Sequence, residues 1–278
     1  MGMVLKKNQN ILLDFFNYSI RLLSNRPQIM AQRVNIGKDK YFEYYHSPGS
    51  LPGVVFLPGL MSNMNGTKAL ALEKYCQATG RAYTRFDHRG MGLSSGKPEE
   101  CTVESRKEDV LSLLHVVKGP QILVGSSLGG WIMFLVAMEI PHRIQGLVGI
   151  APAVDFVSRR FDSLPEETKE EIKTTGEWLL STPHSENPYI LTWDMIQDAR
   201  RHALGNSTPV HCPIRLIHGM KDEEVPFKVS LDVAKGVQSK DVIVILVKDG
   251  YHRLSEPKHI LIITRTIQEM VQELSLPT

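Results

Sequence analysis

The chain has 278 residues, 42% of them hydrophobic, enough to bury a sizeable core as one large α/β domain or two small ones. Its 32 Lys and Arg nearly balance 30 Asp and Glu, which excludes a global field that would draw it to nucleic acid or to an anionic membrane. Three widely spaced cysteines, Cys76, Cys101 and Cys212, with no C-x-x-C pair, fit neither a disulfide framework nor a zinc site, and no apolar run reaches the roughly 18 residues of a membrane span.

The charge is uneven. Residues 1–35 carry Lys6, Lys7, Arg21, Arg26 and Arg33 against Asp14 alone, a net +4 that leaves −2 for the rest. Within them "NILLDFFNYSIRLL" sets apolar residues at helical spacing and is nearly free of acids. Two readings stand: a mitochondrial transit peptide, or a docked amphipathic helix on a cytosolic protein.

From about residue 36 short apolar runs alternate with longer helix-period stretches, the pattern of a mostly parallel sheet covered on both faces. "YFEYYH" reads as an early strand and "GVVFLPG" as a buried one. A helix from Thr67 to Thr79 follows, then a strand at "AYTRFD" ending in the turn "HRGMGLSSG". "ESRKEDVLSLLHVVK" is an amphipathic helix, "QILVG" a buried strand, "WIMFLVAMEI" a helix and "IQGLVGIAP" a strand.

The rhythm then breaks. Residues 153–209 show no convincing strand but two or three polar helices, around "LPEETKEEIKTTGEWLL" and "TWDMIQDARRHAL", separated by "STPHSENPY". So long an insertion reads as a helical cap over a site. Within it Trp178, Leu179, Trp193 and Met195 are either lining for an acyl pocket or ordinary packing, and Arg159, Arg160, Arg200 and Arg201 either hold a carboxylate or are solvated. The rhythm resumes with the strand "PIRLIHG", a helix near 226–237, the strand "DVIVILV" and a closing helix from Pro257 to Leu274.

"GSSLG" around Ser127 matches G-x-S-x-G, a motif weak enough alone to be a mere Gly-rich turn. Its context is what gives it weight. Ser127 follows an apolar strand, precedes a helix and has Gly125, Ser126, Gly129 and Gly130 around it, as a strained nucleophile elbow requires. A serine hydroxyl needs a base, and in this arrangement acid and base follow in the order Ser, Asp or Glu, His. Asp222 in "HGMKDEEVP" and His252 in "KDGYHRLSE" each lie just past a strand, at the sheet edge expected for Ser127. Rivals for the acid are Glu223, Glu224 and Asp155; for the base, His218, which reads as structural, and His259, expected on a helix. Backbone amides of Leu128, after the nucleophile, and of Leu60, in the loop "LPGLMSN", are the expected oxyanion donors. "RGMGLSSG" lacks the third glycine of a dinucleotide fingerprint, and no Walker loop, H-E-x-x-H or clustered metal ligands occur, so neither cofactor nor metal is expected.

"PGLMSNMNGTKALALE", "YTRFDHRGMGLSSG", "GPQILVGSSLGGW", "CPIRLIHGMKDEEVP" and "HRLSE" together resemble the α/β hydrolases, and within them a mitochondrial branch of serine hydrolases. The resemblance implies an α/β-hydrolase fold from about residue 40 to the end, with Ser127, Asp222 and His252 as triad. It also implies acyl-protein thioesterase activity on S-palmitoyl groups and cleavage of acyl glucuronides. The expected partners are therefore S-acylated proteins or small acyl ester and glucuronide substrates, met by a monomer. Two other readings remain open on the residues: a ligand-binding protein that keeps a slow triad on this scaffold, and perhydrolase chemistry on the same triad.

Overall fold

The computed structural model describes residues 31–181 and 188–276. The transit-peptide reading, which falls on residues 1–30, lies outside the described residues, as does the middle of "STPHSENPY".

The first two strands, β1 (Gln32–Gly37) and β2 (Lys40–Ser47), make an antiparallel hairpin. The sequence shows β2 but not β1, whose alternating, mostly polar "QRVNIG" buries only Val34, as suits a sheet edge. The domain edge expected at residue 35 thus falls inside a strand. There follow β3 (Ser50–Leu57), α1 (Thr67–Ala78), β4 (Arg81–Phe86), α2 (Val103–Val116), β5 (Gln121–Ser126), α3 (Leu128–Glu139) and β6 (Ile144–Ile150). After an insertion come β9 (Ile214–Gly219), α7 (Lys228–Gly236), β10 (Val242–Val247) and α8 (Pro257–Leu274).

Eight strands form one sheet in the order β1-β2-β4-β3-β5-β6-β9-β10. From β4 onward all neighbours are parallel. The central β5 has every residue buried, which explains its unbroken apolar run. α1 and α8 cover one face, packing Leu72, Cys76, Ile263 and Met270 against β3, β5 and β6. α8 does so with a single stripe, His259, Ile263, Thr266, Ile267 and Met270, and leaves its other side to water. α2, α3 and α7 cover the second face. α3 is apolar all round and correspondingly buried from Leu128 to Ala137.

The insertion packs into that second core through Phe161, Ile172, Trp178 and Leu191. It contains α4 (Phe156–Asp162), α5 (Glu166–Thr175), β7 (Glu177–Leu180), β8 (Tyr189–Thr192) and α6 (Trp193–Arg201). The expectation of helices without strands is corrected here. Gly176, at φ +78°, donates its amide to Ile172 O and ends α5, so "EWLL" leaves the helix and alternates exposed and buried residues as a strand. β7 pairs antiparallel with β8 in a separate two-stranded ribbon. Phe161 meets Trp178 edge-on and Trp193 at a tilt, at centroid distances of 6.4 and 5.4 Å, contacts worth about 0.5–1.5 kcal/mol each. No helix among the described residues is long and apolar enough to cross a membrane.

Candidate active site

The carboxyl ends of β3, β5, β9 and β10 converge, the usual place for a site in an open parallel sheet. Ser127 occupies the sharp turn from β5 into α3 with φ +53° and ψ −120°, a strained conformation for a residue with a side chain. Its own backbone is pinned from three sides: its amide donates to Ile150 O, and its carbonyl accepts from Gly130 N and Ala153 N, all at 2.9 Å. The flanking glycines are required by close approach. A Cβ on Gly125 would lie 2.3 Å from Gly129 O, and one on Gly129 only 2.2 Å from Leu57 O.

His252, in the loop after β10, sets Nε2 2.9 Å from Ser127 Oγ and Nδ1 2.7 Å from Asp222 Oδ2. The three residues read from the sequence thus form one hydrogen-bonded line. Asp222 lies in the tight loop after β9, where Oδ1 accepts the amides of Glu224 at 3.0 Å and Val225 at 2.8 Å. Oδ2 is also 3.1 Å from Nε2 of His218. Because His218 Nε2 faces two acceptors, Asp222 Oδ2 and Val225 O, it carries the proton, and Nδ1 accepts from Ser230 Oγ at 2.7 Å. Burial pushes the Asp222 carboxyl up, but the hydrogen bonds from His218, His252 and the Val225 amide outweigh it and hold the group well below the usual carboxylate range.

The rival acids and base stand elsewhere. Asp155 takes a left-handed conformation at the start of α4 and accepts the Leu204 amide at 3.1 Å. Glu223 lines a neighbouring cavity, Glu224 lines both that cavity and the small one beside Ser127, and His259 is buried in the stripe of α8. His218 is buried against Asp222, a place the sequence left as structural.

Leu60 and Leu128 flank Ser127 and His252 around an apolar cavity of about 60 Å³. Leu128 is the first residue of α3, whose amide has no intrahelical acceptor, and the Leu60 amide donates no hydrogen bond within the described residues. A contributor that sequence reading missed is Arg106 of α2. It is almost wholly buried, and Nη2 donates to Leu60 O at 3.0 Å, tying down the loop that presents the Leu60 amide. Its position on the buried face of an amphipathic helix was the available signal, since an Arg there demands a partner.

Phe156, Val157, Leu180 and Tyr189 of the insertion complete the small cavity. They differ from the residues expected there: Trp178 and Met195 are core, Trp193 packs against it and Leu179 is 60% exposed. A second cavity of about 390 Å³ adjoins through Phe156, Glu224 and Val225 and includes Arg159 and Arg160. Arg200 pairs with Asp162 at 2.5 Å and Arg201 with Asp198 at 3.0 Å, away from both cavities.

A family model described as the alpha/beta hydrolase fold matches residues 52–185. Over 235 residues, 84% of this chain and 77% of the relative, the sequence is 48% identical to palmitoyl-protein thioesterase ABHD10, mitochondrial, of Bos taurus. The chain belongs to the ABHD10 branch of the α/β hydrolases. A solved structure of mouse alpha/beta hydrolase domain-containing protein 10 superposes with a TM-score of 0.84 at 43% identity, covering 88% of this chain and 100% of that one. A putative hydrolase from Agrobacterium vitis S4 does so with a TM-score of 0.83 at 31% identity, again over 88% of this chain and 100% of its own. Membership makes the chain an enzyme of the hydrolase class, on the α/β-hydrolase fold that the sequence led one to expect.

Proposed function

We propose that the protein is a serine thioesterase and esterase that removes S-palmitoyl or related acyl groups from proteins and also cleaves acyl glucuronides, with Ser127, His252 and Asp222 as its triad. The observation that carries the assignment is the unbroken Ser127–His252–Asp222 relay, at 2.9 and 2.7 Å, opening onto an apolar cavity. His252 Nε2 takes the Ser127 proton as Oγ attacks the acyl carbonyl. Asp222 holds the imidazole in the tautomer that leaves Nε2 free to accept. The Leu60 and Leu128 amides receive the developing oxyanion, each donor being worth roughly 10²–10³ in rate. His252 then protonates the leaving thiol or alcohol and, in the second half, activates water on the acyl-enzyme.

Residues 153–209 act as the cap. The small cavity takes the carbonyl end of the acyl group, and the adjoining space of about 390 Å³ brings the total into the roughly 300–1,000 Å³ typical of ligand sites. The name of the bovine relative carries both the thioesterase activity and the mitochondrial compartment. We assign that compartment here, with the basic segment of residues 1–35 as the import signal.

The test is hydrolysis of an S-palmitoyl peptide and of an aryl acyl glucuronide by wild type and Ser127→Ala, with fluorophosphonate labelling alongside. The expected result is labelling and turnover of both substrates by wild type and loss of all three signals in the variant. Persistent turnover by Ser127→Ala removes the nucleophile assignment. Labelling without turnover of either substrate removes the substrate assignment alone.

A further inference from the structure

"MNGTKALA" and the residues after His252 in "HRLSE" carry much of the resemblance, yet the triad uses none of them. They meet in a third cavity of about 230 Å³, lined by Ser62, Thr67, Lys68, Arg253 and Ser255 together with backbone of Gly59, Gly66 and Ser126. Three site residues have a chain neighbour in this wall: Gly59 precedes Leu60, Ser126 precedes Ser127 and Arg253 follows His252. The separation is one residue thick, since a Cβ on Gly59 would lie 3.3 Å from Ser127 Cβ and 3.5 Å from Ser62 Oγ.

The wall is positively charged, with two cations and no carboxylate. Lys68 Nζ donates only to neutral acceptors, Arg253 O at 2.5 Å and Ser255 Oγ at 3.2 Å, and the Arg253 guanidinium has no hydrogen-bond or ion-pair partner among the described residues. Lys221 and Lys258 nearby are instead paired, with Asp249 at 2.8 Å and Glu256 at 3.2 Å. Burial, and next the charge of Arg253, pull the Lys68 ammonium down to about 8, as expected of a cation desolvated without a counter-charge. α1 begins in this wall at Gly66, with no side-chain cap, so the amides of Thr67 and Lys68 add positive potential.

We propose that this cavity is a subsite for a carboxylate-bearing leaving group, held by Lys68 and Arg253 while the acyl chain occupies the apolar side of Ser127. The inference rests on the reading of Ser127 and His252 as the reacting pair. Arg253 directly follows His252, the group that protonates the departing atom on that reading, and a cavity of about 230 Å³ admits a monosaccharide acid or a short acidic thiol rather than a folded partner. A carboxylate between the two cations supplies the counter-charge they lack.

The experiment uses matched pairs that differ only in charge: S-octanoyl 3-mercaptopropionate against its primary amide, and a 1-O-octanoyl hexuronate against its uronamide. Wild type is expected to favour the acid of at least one pair by about tenfold in kcat/KM, and the pair that responds identifies a thiol or a sugar acid as the leaving group. Arg253→Ala and Lys68→Gln each lower that ratio severalfold, and Arg253→Glu takes it below one. Because Lys68 also holds the loop after His252, the exposed Arg253 supplies the independent variant. Equal rates for acid and amide in wild type, or a preference that survives all three substitutions, overturns the subsite. Absence of hydrolysis of all four substrates by wild type would instead count against the reading of the triad, and with it the subsite that rests on it.

Discussion

His218 and His252 meet on a single atom: Nε2 of the first and Nδ1 of the second lie 3.1 and 2.7 Å from Asp222 Oδ2. With two amides on Oδ1, the carboxylate accepts four donors and has no freedom to rotate. With Asp222 as the proposed acid, His218 is expected to act as a positioning residue, through Asp222 and not on substrate. Replacing it by Phe removes one of four donors, and a hydrogen bond to a charged group is worth about 1.5–3 kcal/mol. His218→Phe should lower kcat about tenfold with KM little moved, while Asp222→Asn should cost roughly 10³–10⁴ by favouring the wrong tautomer. Steady-state kinetics on an S-acyl peptide decide it; a His218→Phe enzyme with wild-type kcat would refute the role.

Arg106 holds the loop proposed to carry the second oxyanion donor. Its Nη2 bond to Leu60 O fixes the peptide next to the donating amide, and a shift of that loop loosens the oxyanion contact. Arg106→Gln should reduce kcat about tenfold or more and slow fluorophosphonate labelling in parallel. Circular dichroism and a melting curve separate this from unfolding, since the buried guanidinium leaves Nε and Nη1 without partners and its removal carries a limited stability cost.

The elbow should be intolerant of single methyl groups. A Cβ at Gly125 or Gly129 meets backbone oxygen at 2.3 or 2.2 Å, so neither neighbour can yield by a side-chain rotation. Gly125→Ala and Gly129→Ala are expected to abolish labelling of Ser127 and to lower the melting temperature by several degrees. A stable, fully labelled Gly125→Ala protein would mean the strand and helix ends are less constrained than their distances state.

Acid stability has a specific source in His88. It is fully buried beside Phe86 and Asp109, and burial pulls its pKa down from 6.5 to about 4, partly offset by the hydrogen bond that His88 Nδ1 donates to Asp109. Between those values the unfolded chain binds the proton and the folded one does not, so stability is full above about 6.5 and declines as pH falls toward 4. Denaturant midpoints of wild type and His88→Phe across this window should converge as pH falls, the variant having the flatter profile. Parallel curves would exclude His88 as the source.

The sheet and the three residues proposed as the triad were legible because their signals are local. Buried parallel strands read as unbroken apolar runs, and Ser127, Asp222 and His252 each sit one turn beyond such a run. β1 was hidden because an edge strand has one neighbour and needs little apolar character. β7 was hidden because "EWLL" continues a helical pattern, and only the left-handed turn at Gly176 breaks it. His218 and Arg106 were missed as members of the site for another reason: each acts through a contact made by the fold, with a residue whose role had to be known first.

In the proposed mechanism every proton-handling residue comes from the loops of the main sheet, while the insertion between β6 and β9 contributes Ala153, Phe156, Val157, Leu180 and Tyr189 to the cavity wall and nothing to the line of Ser127, His252 and Asp222. On that reading chemistry and selectivity are written in separable stretches of one chain. Exchange of the insertion alone gives evolution, or an engineer, a way to retarget the enzyme without retuning its reactivity.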